Sequence, residues 1–170
     1  MPDTPPFEAV RSDFIEKTGL ISQAEGLPRI AGRLFGLLIF DGDMVSFGEL
    51  ATRLQVSRAS ISSSIRLLEE RGLVKRMSKP GERQDYFQLA PNPYATMLQG
   101  IQKRTQATRD EIARTIRDLP EGADATERLM AYSDFYASMD SAVAVALDEL
   151  DTAAQDKPHA DNQAAKGSNQ

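Results

Sequence analysis

Two helix-start signals lie close together in the chain, at Ser46 and at Ser57. Ser46 is followed three residues later by Glu49, the pattern of a capping box, in which each side chain accepts a hydrogen bond from the other residue's backbone N–H. The first signal predicts a short helix that ends at Leu54, and the second predicts a new helix after a tight turn. Residues 46–70 are therefore predicted to form two helices joined by a tight turn.

Two runs typical of β-strands follow the second helix, "LVKRMSK" and "DYFQLA". The segment between them, "PGERQ", supplies Pro80 and Gly81 for a turn. A helix, a second helix and a β-hairpin, in this order, are typical of a winged helix-turn-helix. The sequence therefore predicts a mainly α-helical (α+β) fold with a two-stranded wing, and Val45 is predicted to lie in a short strand before the first of the two helices.

Helical periodicity extends on both sides of this motif. Residues 6–19 have the apolar spacing of a helix, and Pro28 opens a second apolar-rich helix, "PRIAGRLFGLLIF". Beyond this motif, apolar and threonine side chains recur at alternating spacings of three and four residues, which predicts long helices over residues 93–119 and 124–150. The pattern is carried by Leu98, Ile101, Thr105, Thr108, Ile112, Thr115 and Leu119 in the first, and by Leu129, Tyr132, Tyr136, Met139, Val143, Ala146 and Leu150 in the second.

The two long helices can pack in two ways. They can form an antiparallel hairpin within one chain, or they can join a bundle shared by two chains. A lone two-helix hairpin leaves much apolar surface in water, so the sequence favours the shared bundle. The predicted domains are an N-terminal helix that joins the dimerisation region (residues 1–25), a winged helix-turn-helix (26–91), long antiparallel helices for dimerisation (92–152) and a disordered tail (153–170).

The charge is unevenly distributed along the chain. The net charge is −5, yet residues 47–90 hold eight Arg or Lys against five Asp or Glu, and residues 91–118 hold five against three. The excess of acid lies in residues 1–46 and 119–170. A local basic segment in an acidic chain is compatible with binding to a polyanion such as nucleic acid.

Several classes of chemistry lack the residues that they need. The chain has no cysteine, and therefore no disulfide, thiolate nucleophile or cysteine metal site. Its one histidine, His159, lies in the polar C-terminal segment, and no glycine-rich phosphate loop is present. No run of about 18 apolar residues and no secretory signal occur either. We therefore expect a cytoplasmic protein with no enzymatic activity, no cofactor, no metal and no membrane partner.

The second helix of the motif begins with a serine-rich stretch, "SRASISSSIRLLEER". Serine is a middling helix former, so helix stability alone does not explain this composition. Helical spacing places one apolar face towards the core, formed by Ile61, Ser64, Ile65 and Leu68. The opposite face is small and hydroxylic, with arginines beside it, and consists of Arg58, Ala59, Ser62, Ser63 and Arg66.

This outward face allows two interpretations. Small side chains let a helix enter the major groove of DNA, where hydroxyls and Arg66 can contact base edges and phosphates. Alternatively, the face does not contact DNA: either it is simply solvated and touches no partner, or the winged helix uses it to bind another protein. A protein-contact surface is expected to be apolar or acidic, so the sequence favours DNA.

The segments "PRIAGRLFGLLIF", "SFGELATRLQVSRASISSSIRLLEERGLVKR" and "KPGERQDYFQLA" together resemble the MarR superfamily of winged-helix regulators, and most closely its GbsR-like branch. The resemblance covers about residues 26–90. It implies that the helix over residues 57–70 enters the major groove and that Arg83, in the wing, enters the minor groove. Two positions depart from the family pattern. Gln55 stands where the turn usually has glycine and must adopt a left-handed backbone, and Gly81 stands where the wing usually has an acidic residue.

We therefore predict a sequence-specific, double-stranded-DNA-binding transcriptional regulator, a homodimeric repressor that recognises a pseudo-palindromic operator. The alternative is a winged-helix protein–protein interaction module without operator binding. The predicted DNA-binding residues are Ser57, Arg58, Ala59, Ser60, Ser62, Ser63, Arg66, Lys79 and Arg83.

A small-molecule effector is compatible with the aromatic residues Tyr132, Phe135 and Tyr136 of the last helix. Members of the GbsR-like branch are associated with quaternary amines, and an aromatic cage suits such a cation. Aromatic side chains at helical spacing more often form a core. The sequence favours the core and identifies no effector.

Overall fold

A computed structural model describes residues 6–155 of the chain. The described part divides into two compact units, one ending at Thr96 and the other beginning at Met97. Its helices are α1 (Phe7–Ala24), α2 (Arg29–Asp41), α3 (Phe47–Leu54), α4 (Arg58–Glu70), α5 (Pro93–Asp118) and α6 (Ala125–Gln155), and its strands are β1 (Val45–Ser46), β2 (Val74–Ser78) and β3 (Asp85–Leu89). The predicted fold class, mainly helical with a small antiparallel wing, is confirmed.

The helix-turn-helix is formed by α3 and α4 and begins as the caps predict. The backbone N–H of Glu49 donates to Ser46 Oγ at 3.3 Å, and the backbone N–H of Ser46 donates to Glu49 Oε2 at 3.1 Å. At the second start, the N–H of Ser60 donates to Ser57 Oγ at 3.1 Å. Gln55 lies between the two helices with φ 54° and ψ 45°, the predicted left-handed backbone. The capping box, the Ser57 cap and the turn at Gln55 are thus confirmed.

The two predicted strands of the wing, β2 and β3, are confirmed, and β1 joins them in one three-stranded sheet. All neighbours in the sheet are antiparallel, in the order β1-β3-β2. Val45 pairs with Phe87, and both side chains are almost completely buried. The short strand at Val45 was predicted, but its partner was not, because strand pairing joins residues far apart in the chain. The wing is therefore attached to the core through β3.

The core of the first unit lies between α2, α3, α4 and the sheet. Each of these elements contributes side chains with almost no exposed surface, and each fully buried aliphatic side chain contributes about 1.5–3 kcal/mol to folding. These side chains are Leu34, Leu37 and Leu38 from α2, Leu50 and Leu54 from α3, Ile61 and Leu68 from α4, and Phe87 from β3.

Helix α1 packs closely against α2 and extends five residues beyond the predicted end at residue 19. Close packing over its second half explains the extension. A Cβ atom added at Gly32 of α2 would lie 2.5 Å from the Cβ of Ser22, and one added at Gly19 would lie 2.6 Å from the Cγ of Arg33. Glycines at both positions let the two backbones approach, and Ser22 is accordingly buried.

The second unit consists of α6 and most of α5. In α5 the predicted repeat of apolar and threonine side chains is confirmed in part, since Thr105 and Ile112 are buried whereas Thr115 is exposed. Helix α6 runs five residues beyond the predicted residue 150. His159 and the rest of the predicted tail beyond residue 155 lie outside the described residues, so the predicted disorder stays a prediction. None of the described helices is both long and apolar enough to cross a membrane.

Candidate nucleic-acid interface

Helix α4 has two faces of opposite character, as predicted. Ile61, Ser64, Ile65 and Leu68 are buried against the core of the first unit. The outward face is exposed and carries only small side chains and arginines, namely Arg58, Ala59, Ser62, Ser63 and Arg66. The small side chains at the centre of such a face let the helix approach a groove closely, while the arginines reach out beside it.

The hydroxyl groups on α4 differ in the hydrogen bonds that they already make. Ser57 Oγ caps the helix and lies 2.9 Å from the hydroxyl of Ser60, which is half-buried. The hydroxyl of Ser63 donates to the carbonyl oxygens of Ala59 and Ser60, at 3.2 and 3.1 Å. The hydroxyl of Ser62 makes no hydrogen bond with any side chain or backbone group of the described residues, so it is free to contact a ligand.

The two arginines of α4 are also held differently. The guanidinium of Arg58 lies 4.8 Å from the ring centroid of Phe47, a cation–π contact that orients this side chain at the start of the helix. Arg66 is exposed, and no described carboxylate lies within ion-pair distance of it. Arg66 therefore presents a charge that no described carboxylate neutralises, beside Ser62, whereas Arg58 presents an oriented one.

The tip of the wing is organised around Tyr86. Its hydroxyl donates to the carboxylate of Glu82, and the side-chain amide of Gln84 donates to the same carboxylate at 3.1 Å. These hydrogen bonds lower the pKa of Glu82, and the contact with Glu82 raises the pKa of Tyr86. The ammonium of Lys79 lies 4.1 Å from the centroid of the Tyr86 ring. Lys79 and Glu82 are therefore tied to the sheet.

Arg83 follows Glu82 and is exposed, with no described carboxylate close enough for an ion pair. Gly81, where the family pattern has an acidic residue, adopts φ 84°, in the left-handed region that favours glycine. The backbone conformation of the turn thus explains why residue 81 is a glycine. The neighbouring acidic residue, Glu82, contacts Tyr86 instead.

A cleft of about 260 Å³ lies between α4 and the sheet of the wing. Ser62 and Arg66 of α4 line it on one side, and Arg76 and Asp85 of the sheet line it on the other. The ring of Phe87 contributes an apolar surface, and it lies 6.4 Å, centroid to centroid, from the ring of Phe47. The structure therefore places two of the predicted DNA-binding residues beside residues that the sequence analysis did not select.

Arg76 is the principal residue that the sequence analysis missed. Its Nε and Nη2 atoms donate to the carboxylate of Glu69 at 3.3 and 3.2 Å, and its Nη1 donates to Asp85 at 3.1 Å. The contact with Glu69 raises the pKa of Arg76 further. In the folded hairpin Arg76 is opposite Phe87, so Asp85 is its diagonal neighbour on the same face of the sheet, a relationship that depends on the strand register.

All nine predicted DNA-binding residues lie in the first unit, on α4, at its N-cap or at the wing. Their contact with DNA stays a prediction. In the second unit, Tyr132 and Phe135 are 47% and 55% exposed in the single chain, so a core formed by these residues stays a prediction. Both pack edge-on against Tyr136, with centroids 5.1 and 5.3 Å apart. No group of three or more potential metal-ligating side chains occurs among residues 6–155.

The second unit also contains a buried polar contact that the sequence did not reveal. The hydroxyl of Thr105 in α5 donates to the carboxylate of Asp140 in α6, and Arg109 Nη1 donates to the same carboxylate at 3.0 Å. The hydrogen bond from Thr105 is the main reason why the pKa of Asp140 is lowered. Thr105, which belongs to the predicted repeat of α5, therefore joins the two long helices through a hydrogen bond.

Comparison with known proteins gives a consistent result. A family model described as "MarR family" matches residues 25–84. The chain is 34% identical over 142 residues to the HTH-type transcriptional regulator MmpR5 of Mycobacterium tuberculosis, with 79% of this chain and 83% of that protein covered. It is also similar to a solved structure described as the crystal structure of a transcriptional regulator, at 30% identity and a TM-score of 0.70, covering 84% of this chain and 98% of the other.

Proposed function

We propose that this chain, which belongs to the MarR family of winged-helix transcriptional regulators, represses transcription as a homodimer bound to a pseudo-palindromic DNA operator. Proteins of this family bind DNA and act as dimers. The observation that carries the proposal is the outward face of α4, which is exposed, free of large apolar side chains and lined by a free serine hydroxyl and two arginines.

The character of this face supports major-groove binding. The groove is about 12 Å wide and admits one helix, provided that the helix surface carries no bulky apolar side chains. Ser62 and Arg66 are the residues proposed to contact base edges, because neither is committed to a partner in the described chain. The hydroxyls of three further serines, Ser57, Ser60 and Ser63, are used mainly in hydrogen bonds at the start of α4. We propose that these residues contact the phosphate backbone, and that their small size lets the helix approach the DNA closely.

The remaining predicted residues fit backbone and minor-groove contacts. Arg58 is oriented by Phe47, and Lys79 by Tyr86, so each presents a fixed positive charge suited to a phosphate. Ala59 leaves space for the backbone of the DNA. Arg83 extends from the wing without an internal partner among the described residues, and we propose that it enters the adjacent minor groove.

Exposed apolar side chains support dimerisation. In α1, Phe7 and Ile21 are 69% and 61% exposed, and in α6, Val145 is 61% exposed. A second copy of the chain would cover such side chains, on α1 and on α6, and remove their apolar surface from water. Two copies would place two recognition helices about 34 Å apart, the spacing of half-sites one helical turn apart.

The alternative function, a winged helix that binds only protein, is less well supported. Such a module is expected to present an apolar or acidic surface on α4, whereas the exposed residues there are alanine, serine and arginine. Membership of the GbsR-like branch and control by a small-molecule effector both stay predictions.

Selection of duplexes from a random pool by the full chain tests the proposal directly. We expect a two-fold symmetric site with half-sites one helical turn apart and nanomolar affinity. Arg66→Ala is expected to relax the sequence preference and to cost about 1–3 kcal/mol of binding free energy. Arg66→Ala and Arg83→Ala variants that both bind the selected site like the wild type would refute the docking mode. A promoter that carries the selected site should give less transcript in vitro when the protein is added.

A further inference from the structure

We infer that Arg76 is a positioning residue for operator binding: it fixes the wing relative to the recognition helix α4, so that Arg83 reaches the DNA while Ser62 and Arg66 occupy the major groove. This inference rests on the proposed function, and it adds a residue that has no predicted contact with DNA. The geometry that supports it lies entirely within the first unit.

The guanidinium of Arg76 connects two elements that must act together. Two of its nitrogen atoms donate to Glu69, near the end of α4, and the third donates to Asp85, the first residue of β3. A guanidinium is planar and presents its donors in a rigid fork, so it can hold two carboxylates at a defined angle. The wing strand is thereby tied to the recognition helix through one side chain.

An aromatic pair supports this connection from the core side. The guanidinium of Arg76 lies 5.5 Å from the centroid of the Phe87 ring, which packs against Phe47. Phe47 in turn orients Arg58 at the start of α4. Two arginines thus contact adjacent rings, Arg58 the ring of Phe47 and Arg76 the ring of Phe87.

Arg76 also controls the charge in this cleft. Glu69 and Asp85 are acidic groups beside Ser62 and Arg66, the residues proposed to enter the major groove of the polyanionic DNA. Without the guanidinium, both carboxylates would repel the polyanion and could turn towards it. Because the ion pairs of Arg76 are half-exposed, they contribute little to the stability of the fold, so a change at this residue should affect DNA binding more than folding.

The inference predicts coupling between Arg76 and Arg83. If Arg76 holds the wing in place, the benefit of Arg83 depends on Arg76. If Arg76 merely adds positive charge or contacts DNA itself, the two residues act independently, and their effects on the dissociation constant multiply.

A double-mutant cycle with the full chain and the highest-affinity duplex selected by the wild type tests this coupling. We expect Arg83→Ala to weaken binding about tenfold in the wild type and less than about threefold in the Arg76→Ala background. Arg76→Lys is expected to behave like Arg76→Ala, because an ammonium cannot hold both carboxylates in the same geometry. Asp85→Ala, which removes only the wing side of the contact, should reduce the effect of Arg83→Ala in the same way.

Lys75→Ala is the matched control. Lys75 is the preceding residue on the same strand and is exposed, and no described carboxylate forms an ion pair with it. Its removal takes away the same charge, so the effect of Arg83→Ala should remain tenfold in this background. Unfolding curves of each variant, recorded at one protein concentration, show whether the fold is retained, and Asp85→Ala replaces Arg76→Ala if the latter does not fold.

Three results would overturn the inference. One is an equal effect of Arg83→Ala on the dissociation constant with and without Arg76. Another is an effect of Arg83→Ala in the Arg76→Lys background that is as large as in the wild type. The third is an Arg83→Ala variant that binds like the wild type while Arg66→Ala binds weakly, in which case operator binding stands and the role of Arg76 fails. Recovery of no duplex at all by the wild type would overturn the proposed function and this inference with it.

Discussion

The guanidinium of Arg11 in α1 donates two hydrogen bonds of 2.6 Å to the carboxylate of Asp41, the last residue of α2. The same carboxylate accepts a hydrogen bond of 3.1 Å from Arg53 in α3. The side chains of Arg11 and Asp41 are only 18% and 12% exposed. One carboxylate therefore connects α1, α2 and the first helix of the helix-turn-helix.

This contact predicts a specific loss of stability in acid. The hydrogen bond from Arg11 is the main reason why the pKa of Asp41 is lowered in the folded chain. The stabilisation is therefore complete above the pKa of the unfolded carboxyl, about 3.9, and is lost as the pH falls through the lower folded-state pKa. We expect Asp41→Asn to reduce the free energy of unfolding by about 2 kcal/mol at pH 7 and by less below pH 4.

Urea denaturation at a series of pH values and one protein concentration measures this difference. Lys17→Ala serves as the control, because the Lys17–Asp13 ion pair on the same helix is mostly exposed and should contribute less than about 0.5 kcal/mol. A constant difference between wild type and Asp41→Asn from pH 7 to pH 3 would contradict the explanation.

Gly32→Ala is expected to destabilise the packing of α1 on α2. The added methyl group would lie 2.5 Å from both Cβ and Oγ of Ser22, which is buried. Relief of this overlap requires the two helices to separate, at a cost of about 1–3 kcal/mol. Gly48→Ala in α3 is the matched control, since its Cβ would meet nothing within 4 Å, and alanine there should raise stability by about 0.5 kcal/mol. Equal thermal midpoints for the two variants would refute the close contact.

Ser62→Leu should abolish tight operator binding without affecting the fold. The side chain is exposed on the outward face of α4, so a leucine there costs little in the free protein. In the proposed complex the leucine would push the helix away from the base edges, and we expect fluorescence anisotropy to give a dissociation constant at least about tenfold larger. Ser62→Ala separates size from hydrogen bonding, because it keeps the face small and removes only the hydroxyl. A leucine variant that binds normally would exclude insertion of this face into a groove.

The proposed dimer predicts a solution mass of twice the chain mass of 18.7 kDa. Val145→Glu, at an exposed apolar position of α6, is expected to shift the mass measured by light scattering towards the monomer, because a charge would be buried when two copies meet. Val145→Ala keeps the position apolar and should retain the dimer. A wild-type monomer at micromolar concentration would contradict the two-copy arrangement, whatever the variants do.

Several features of the candidate interface could be predicted because their causes are local. The serine caps at residues 46 and 57, the left-handed turn at Gln55 and the buried face of α4 each depend on residues within one or two helical turns. The same is true of the turn that separates the wing strands. The ends of α1 and α6 were less predictable, because packing against other residues determines how far a helix continues.

Other features required the folded chain. Ser62 and Ser63 are adjacent and equally polar, yet the structure shows that Ser63 bonds to backbone carbonyls while Ser62 is free. Arg76 is one of several arginines in the motif, and its contacts with Glu69 and Asp85 depend on how the hairpin packs on α4. Arg11 and Asp41 lie 30 residues apart, and no periodic pattern predicts their contact.

By itself, the amino-acid sequence determined the order of the helices and strands, the helix starts and the buried face of the recognition helix, since hydrogen bonding and hydrophobic periodicity act over a few neighbouring residues. The tertiary structure alone decided that β1 pairs with β3, that Arg76 joins the wing to α4 and that Arg11 joins α1 to Asp41. These contacts bring together side chains that are distant in the chain, and only the packing of the whole unit determines which charged and polar groups then lie within hydrogen-bonding distance.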